Sequence, residues 1–136
     1  MKIMLDAGAK MPTRAHPYDA GLDLYAYGGF WLMAHHRQTF DTGVHVQIPE
    51  GYVGFVKSRS GLMCSYGITT DGTIDSGYTG SIRVVLFNHS DDDIFVGSGD
   101  KIAQLVILPC LLPELEVVDS LEETDRGNGG FGSTGR

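Results

Sequence analysis

Cysteine is scarce in this chain. The two present, Cys64 and Cys110, stand far apart and form no C-x-x-C spacing, which excludes a disulfide framework and a thiolate metal site and leaves two free thiols, expected to be buried. Histidine has no useful pattern either: the five, at positions 16, 35, 36, 45 and 89, lack H-x-x-x-H or comparable spacing, so no zinc site is expected. Long apolar runs are missing. The longest early one, residues 30–34, is far shorter than a bilayer span, and the first residues hold one Lys and no apolar leader core. A soluble protein is expected, cytoplasmic and without membrane association. Basic residues are outnumbered, 10 Lys and Arg against 17 Asp and Glu for a formal charge of −7, and no basic stripe interrupts that background. Nucleic acid is therefore not an expected partner. A small phosphate ligand stays open, because a few Arg groups, backbone N–H groups and a divalent cation overcome an unfavourable field at short range. The P-loop pattern G-x-x-x-x-G-K-[ST] does not occur, which excludes the usual nucleoside-triphosphatase cradle.

Glycine, by contrast, is abundant, with 19 of 136 residues, about twice the usual share and a mark of turn-rich β structure. A hydrophobic content of 42% argues against disorder over most of the length, and the length suits one domain. Apolar and β-branched residues recur in strand-sized segments at 3–6, 22–27, 30–34, 43–48, 52–57, 81–87, 93–96, 102–108 and 115–118. Turn formers divide them: Pro49-Glu50-Gly51, Asp71-Gly72, Ser90-Asp91-Asp92-Asp93 and Gly97-Ser98-Gly99-Asp100. Only residues 60–66 suit a helix, and a short one. The expected fold is an all-β sandwich, jelly roll or barrel over residues 1–121. Residues 122–136 show no strand or helix pattern and are expected to form a mobile glycine-rich arm.

Several stretches can carry chemistry. Gly72 to Gly80 reads as a β-hairpin with Asp75 near its tip, a general base, and Tyr78 three residues later, a pocket wall. Lys57-Ser58-Arg59-Ser60-Gly61 ends a strand and starts the short helix, so Arg59 and free N–H groups can receive an anion. In Leu22-Asp23-Leu24 strand alternation turns the carboxylate away from its apolar neighbours, where it can orient the waters of a hard cation. The tail sets Arg126 and Phe131 among glycines, with the Ser133 and Thr134 hydroxyls as further donors. Taken singly, each has a plain alternative: a turn Asp, an N-cap Ser, a surface Asp, a linker.

Together they form an ordered set. Ala-Gly-Leu-Asp-Leu at 20–24, Ser-Arg-Ser-Gly at 58–61, Gly-Thr-Ile-Asp-Ser-Gly-Tyr-Thr-Gly at 72–80, Gly-Asp-Lys-Ile-Ala-Gln-Leu at 99–105 and Arg-Gly-Asn-Gly-Gly-Phe-Gly-Ser-Thr-Gly at 126–135 resemble the five motifs of the trimeric dUTPases in order and approximate spacing. The resemblance implies a jelly-roll subunit, or distorted β-barrel, in a homotrimer whose active sites are shared between chains. It implies hydrolysis of dUTP to dUMP and pyrophosphate with Mg2+. Asp75 would activate the water that attacks the α-phosphorus, and Tyr78 would pack on the deoxyribose. The backbone of Gly72, Thr73 and Ile74 would read uracil. Asp23 would hold magnesium through water; Arg59, Ser60, Gly61 and Gln104 would contact the phosphate chain; and Arg126 would reach the terminal phosphate. Phe131 would cover uracil while Gly132, Ser133 and Thr134 close on the phosphates.

The chain departs from the family pattern in three places. Ser58 stands where many members have Pro, an exchange expected to loosen the turn. The stretch from Gly67 to Gly72 is shorter than in several bacterial members. Arg83 replaces a smaller or apolar residue. Rival readings are a dCTP deaminase or a bifunctional relative, a regulatory protein that keeps the fold and acts through protein partners, and a lectin-like jelly roll.

Overall fold

A computed structural model of the chain describes residues 1–130. Eight strands form two four-stranded sheets. The first joins β1 (Lys2–Leu5), β4 (Arg37–Gln47), β8 (Ser81–Asn88) and β6 (Ile68–Thr69) in that order, and the second joins β2 (Gly21–Tyr25), β10 (Lys101–Pro109), β5 (Tyr52–Lys57) and β7 (Asp71–Ile74). A ribbon of β3 (Phe30–Leu32) and β9 (Ile94–Val96) completes the strands. Every pairing is antiparallel. One short helix, α1 (Ser60–Tyr66), falls where the sequence suits it.

Alternation builds the core. Along β8, Ile82, Val84 and Leu86 are fully buried while Arg83 and Phe87 face outward, as period-two side-chain direction requires. They meet Phe40, Val44 and Val46 of β4 together with Leu24, Val56 and Leu105 from the second sheet, so one apolar cluster joins both sheets and the ribbon residues Leu32 and Val96. This is the expected all-β architecture of two packed antiparallel sheets.

Five local expectations are corrected. The two thiols are not buried: Cys64 is exposed on α1 and Cys110 is half-buried. The strand expected at 43–48 starts at Arg37, because residues 37–41 pair with Phe87 to Arg83 of β8 despite their mostly polar sequence. Asp71-Gly72 is not a turn but the start of β7, where Asp71 pairs with Lys57 and Gly72 with Val56. Residues 72–80 do not form a ladder-bonded hairpin. β7 pairs with β5 in the second sheet and β8 with β4 and β6 in the first, so the turn carries the chain across the core from one sheet to the other. Residues 115–118 form no strand; Leu115 and Val117 are almost fully exposed, at 94% and 99%.

Candidate functional site

The pairing register creates one polar row across the second sheet. Asp23 of β2 stands opposite Gln104 of β10, Gln104 opposite Lys57 of β5, and Lys57 opposite Asp71 of β7. Residues directly opposite in a ladder share a face, so four polar side chains line up on the side away from the core. Lys57 and Asp71 form an ion pair at the end of the row.

Asp23 is the anchor. Its alternation is as expected, with Leu24 in the core, but the carboxylate is not a surface group: its side chain is 12% exposed, with Arg59 Nε 3.0 Å from Oδ1 and Lys101 Nζ 2.6 Å from Oδ2. Burying a carboxylate is tolerated when it is paired in this way. The Thr13 carbonyl fixes its backbone, accepting from Asp23 N–H at 2.7 Å. Lys101 was not among the expected site residues. Three positions before Gln104, it should face the opposite side of a regular strand, yet a bulge between Lys101 and Ala103 brings it back to the same face. The sequence carries no clear signal for that bulge.

Gln104 holds the strand end that leads to α1. Its Nε2 donates to the Ser58 carbonyl at 3.0 Å. The Gly21 of the first motif has a steric reason: a Cβ there would lie 2.2 Å from Gln104 Oε1. Ser58, expected to loosen this turn, instead ties it down, since its hydroxyl donates to Thr70 O at 2.9 Å and accepts from Thr70 N–H at 2.8 Å. Two bonds to the backbone of one residue replace the restraint that a proline ring would give.

Arg59, Ser60 and Gly61 then close one side of a cavity of about 190 Å³ that Asp23, Asp19 and Gln104 also line. No side chain caps the start of α1, and open space surrounds Gly61. Five of the expected residues, Asp23, Arg59, Ser60, Gly61 and Gln104, thus share one cradle able to receive an anion.

The other expected residues stand apart from it. Gly72, Thr73 and Ile74 lie in β7, which runs away from the polar row. Asp75 begins the turn at its far end, where its carbonyl accepts from Tyr78 N–H at 3.0 Å. Four residue steps lead from Asp71, in the row, to Asp75, about 13 Å at the usual strand rise. Tyr78 is half-exposed, its hydroxyl donates to Ser81 O at 2.8 Å, and it lies so close over Gly80 that a Cβ there would sit 2.5 Å from the phenol oxygen. A cavity of about 610 Å³ beside this turn is lined by Ser76, Gly77, Lys2, Glu50 and Leu112. Arg126 lies in an exposed turn, its Nε donating to Gly129 O at 3.0 Å. Phe131, Gly132, Ser133 and Thr134 lie outside the described residues.

Two further groups support the return of this turn into β8. Asp41 of β4 accepts from the Ser81 hydroxyl and from Gly43 N–H at 2.9 Å, and faces Arg83 across the ladder. Burial pushes its carboxyl up, but Ser81, the Gly43 and Thr42 backbone and Arg83 outweigh that and hold it below the usual carboxylate value. Arg83, unexplained by the sequence, thus stands opposite a carboxylate whose ionised form its charge favours. His45 bonds the Thr79 carbonyl at 2.9 Å.

Among the described residues no three His, Cys, Asp or Glu converge as a metal site. The donor set nevertheless fits a water-mediated role for Asp23. Each carboxylate oxygen carries one charge-assisted bond and offers about two lone-pair sites, and magnesium usually keeps several of its waters and takes substrate phosphates as ligands. No helix among the described residues is long and apolar enough to cross a membrane.

An all-β subunit with an anion cradle on one sheet and a carboxylate-bearing turn at the other end defines a protein built for a phosphate ligand. The chain belongs to the dUTPase family, whose model matches residues 7–135. It is 45% identical over 136 residues to a deoxyuridine 5'-triphosphate nucleotidohydrolase of Syntrophotalea carbinolica, covering 96% of this chain and 92% of that one. It is 46% identical over 140 residues to the protein of that description from Anaplasma marginale, covering 99% and 95%. Among solved structures, a mutant of the Staphylococcus bacteriophage 80alpha dUTPase with dUpNHpp superposes with a TM-score of 0.92 at 32% identity, covering 99% of this chain and 98% of that one. A mutant dUTPase from phage phi11 of S. aureus, whose structure reveals the coordination of a structural Mg(II) ion, superposes with a TM-score of 0.85 at 31% identity, covering 90% and 98%.

Proposed function

We propose that this protein hydrolyses dUTP to dUMP and pyrophosphate, keeping uracil out of DNA and supplying dUMP for dTMP synthesis. The observation that carries this reading is the match to the dUTPase family over residues 7–135, with the cradle residues Asp23, Arg59, Ser60, Gly61 and Gln104 converging on one cavity. The Asp75 carboxylate takes a proton from a water as its oxygen bonds to the α-phosphorus, and the bridging P–O bond breaks to release pyrophosphate. Arg59, the first N–H groups of α1 and Gln104 hold the phosphate chain and spread its charge. Mg2+, when bound, supplies further neutralisation of that charge, with Asp23 accepting from its waters. Tyr78 packs on the deoxyribose and leaves no room for a 2′-OH, while the backbone of Gly72, Thr73 and Ile74 reads uracil.

The working assembly is a homotrimer with shared active sites, and two features support it. Asp75 lies about 13 Å from the row that ends at Asp71, by strand rise, so the base of one chain serves the cradle of a neighbour. Leu111, Leu112, Leu115, Val117 and Leu121 are 75% to 99% exposed, which an isolated subunit would not sustain. Residues 122–136 act as an arm that covers the nucleotide: Arg126 reaches the terminal phosphate, Phe131 stacks on uracil, and Gly132, Ser133 and Thr134 close on the phosphates. The cytoplasm is the compartment that fits this substrate. Assaying dUTP, UTP, dTTP and dCTP with and without Mg2+ tests the reading. Turnover of dUTP alone, dependent on Mg2+, is expected; release of ammonia from dCTP would instead favour a deaminase.

A further inference from the structure

The turn bearing Asp75 and Tyr78 returns to the first sheet through Thr79 and Gly80, which precede β8 and belong to no strand. A side chain from the middle of β4 supports this limb: His45 Nδ1 lies 2.9 Å from the Thr79 carbonyl oxygen. The other ring nitrogen, Nε2, lies 3.3 Å from Asp6 Oδ1. A carbonyl oxygen and an ionised carboxylate can only accept hydrogen bonds, so the ring satisfies both when both nitrogens carry protons. A neutral ring turns a lone pair toward one of them. The His45 side chain is 19% exposed, which limits water as a substitute partner.

The acidic neighbours favour the cation: Asp6 follows β1, and Asp41 lies on β4 itself. Two cations oppose it, Arg83 of β8 opposite Asp41 and Lys2 of β1, which borders the same cavity of about 320 Å³ as His45 and Thr79. The Thr79 carbonyl, working against some desolvation, and then Asp6 and Asp41 raise the imidazole above its ordinary value.

We propose that His45, as an imidazolium bridging Thr79 and Asp6, is a positioning residue that clamps the substrate turn and so sets how well Tyr78 meets the sugar. The kinetic part of this inference rests on the dUTPase reading above; the clamp itself does not. Because the folded value is raised, the clamp is complete below the ordinary histidine pKa of about 6.5 and loses one of its two bonds as pH rises through the folded value.

The test follows the histidine and the turn together, in the parent, His45→Gln and Asp6→Asn, from about pH 5.5 to about pH 9. In the parent, the His45 ring signal should titrate above about 6.5, and exchange of the Gly80 and Ser81 amides should quicken through that midpoint by more than the intrinsic pH trend. The KM for dUTP should rise about threefold to tenfold over the same window, with kcat changing less. Glutamine keeps one donor for Thr79 and does not titrate, so His45→Gln should hold KM and amide exchange free of that step, and Asp6→Asn should move the midpoint down. A midpoint at or below the ordinary histidine value, or a His45→Gln variant that keeps the parental step in KM, overturns the proposal. Absence of dUTP turnover in the parent would overturn the functional reading instead, while the titration and exchange would still decide the clamp.

Discussion

Asp23 and Gln104 stand side by side across β2 and β10, and the polar row continues from them through Lys57 to Asp71. Each member reaches the row through ladder register rather than through sequence proximity. Gln104 also bonds the Ser58 carbonyl just before Arg59, so the carboxamide sets where the guanidinium begins. The cradle is therefore a property of three strands held in one register.

Gly21→Ala tests this dependence. The new methyl would meet Gln104 Oε1 at 2.2 Å, so the side chain must swing away and lose Ser58. One neutral hydrogen bond is worth about 0.5 to 1.5 kcal/mol, a small part of total stability. The variant should fold with a melting temperature a few degrees lower and show a clearly raised KM for dUTP. Parental KM would mean that Gln104 does not position the site.

Acid should loosen the first sheet beside the substrate turn through Asp41. Its folded pKa is depressed below 3.8, so its stabilising contribution is present above the unfolded value and is lost as pH falls through the folded one. Asp41→Asn should melt below the parent at neutral pH, with the gap closing as pH falls below the ordinary Asp value of about 3.9 and through the folded one. Thermal melts of both proteins across that range check it, and a gap independent of pH would assign the loss to packing.

Tyr78→Ala should relax sugar choice. The ring covers Gly80 and is fixed by its bond to Ser81, so removing it opens space where a 2′-OH would stand. The ratio of kcat/KM for dUTP over UTP should fall about tenfold or more, the scale on which a shaped apolar wall discriminates. An unchanged ratio would move the discrimination to another residue.

How much of this was legible in the sequence varies with the kind of interaction. The helix at 60–66 and most strands follow from local alternation and turn residues, and the five cradle residues follow from motif order. Register was not legible. Arg37 to Asp41 hold one large apolar residue, Phe40, and become strand only because β8 lies alongside. Leu115 to Val118 have strand-forming residues but no ladder partner among the described residues. Lys101 joins the site through a bulge, and His45 through a carbonyl 34 positions away; neither leaves a pattern in the chain. Ser58 was misjudged because its hydroxyl compensates through Thr70, a partner that only the folded chain supplies.

Ending the chain after Asp125 tests the arm. It removes Arg126 and Phe131 but none of the core residues described, the last of which is Leu105. Melting temperature and assembly mass should stay close to the parental values while most catalysis is lost. Phe131→Ala should be milder, because stacking on a base is worth about 1 to 3 kcal/mol. Full activity in the shortened chain would exclude the arm from the mechanism.

Mixing two inactive chains decides whether sites are shared. Asp75→Asn removes the proposed base, a role that typically contributes about 100- to 10,000-fold, and Arg59→Ala removes the guanidinium of the cradle. Arg59 holds Asp23 at 3.0 Å, so Arg59→Ala should first be shown to fold and to assemble. If the cradle of one subunit works with the turn of another, a site is intact when an Asp75→Asn chain supplies the cradle and an Arg59→Ala chain supplies the base. Random assembly of equal amounts makes about one site in four of that kind. Co-refolded mixtures should then regain about a quarter of parental activity, while the same chains refolded apart and then mixed should regain little until subunits exchange. If each site used Arg59 and Asp75 of one chain, every subunit in the mixture would carry a defect and activity would not return. That result would require the strand of about 13 Å between the row and Asp75 to be bridged by substrate within a single subunit.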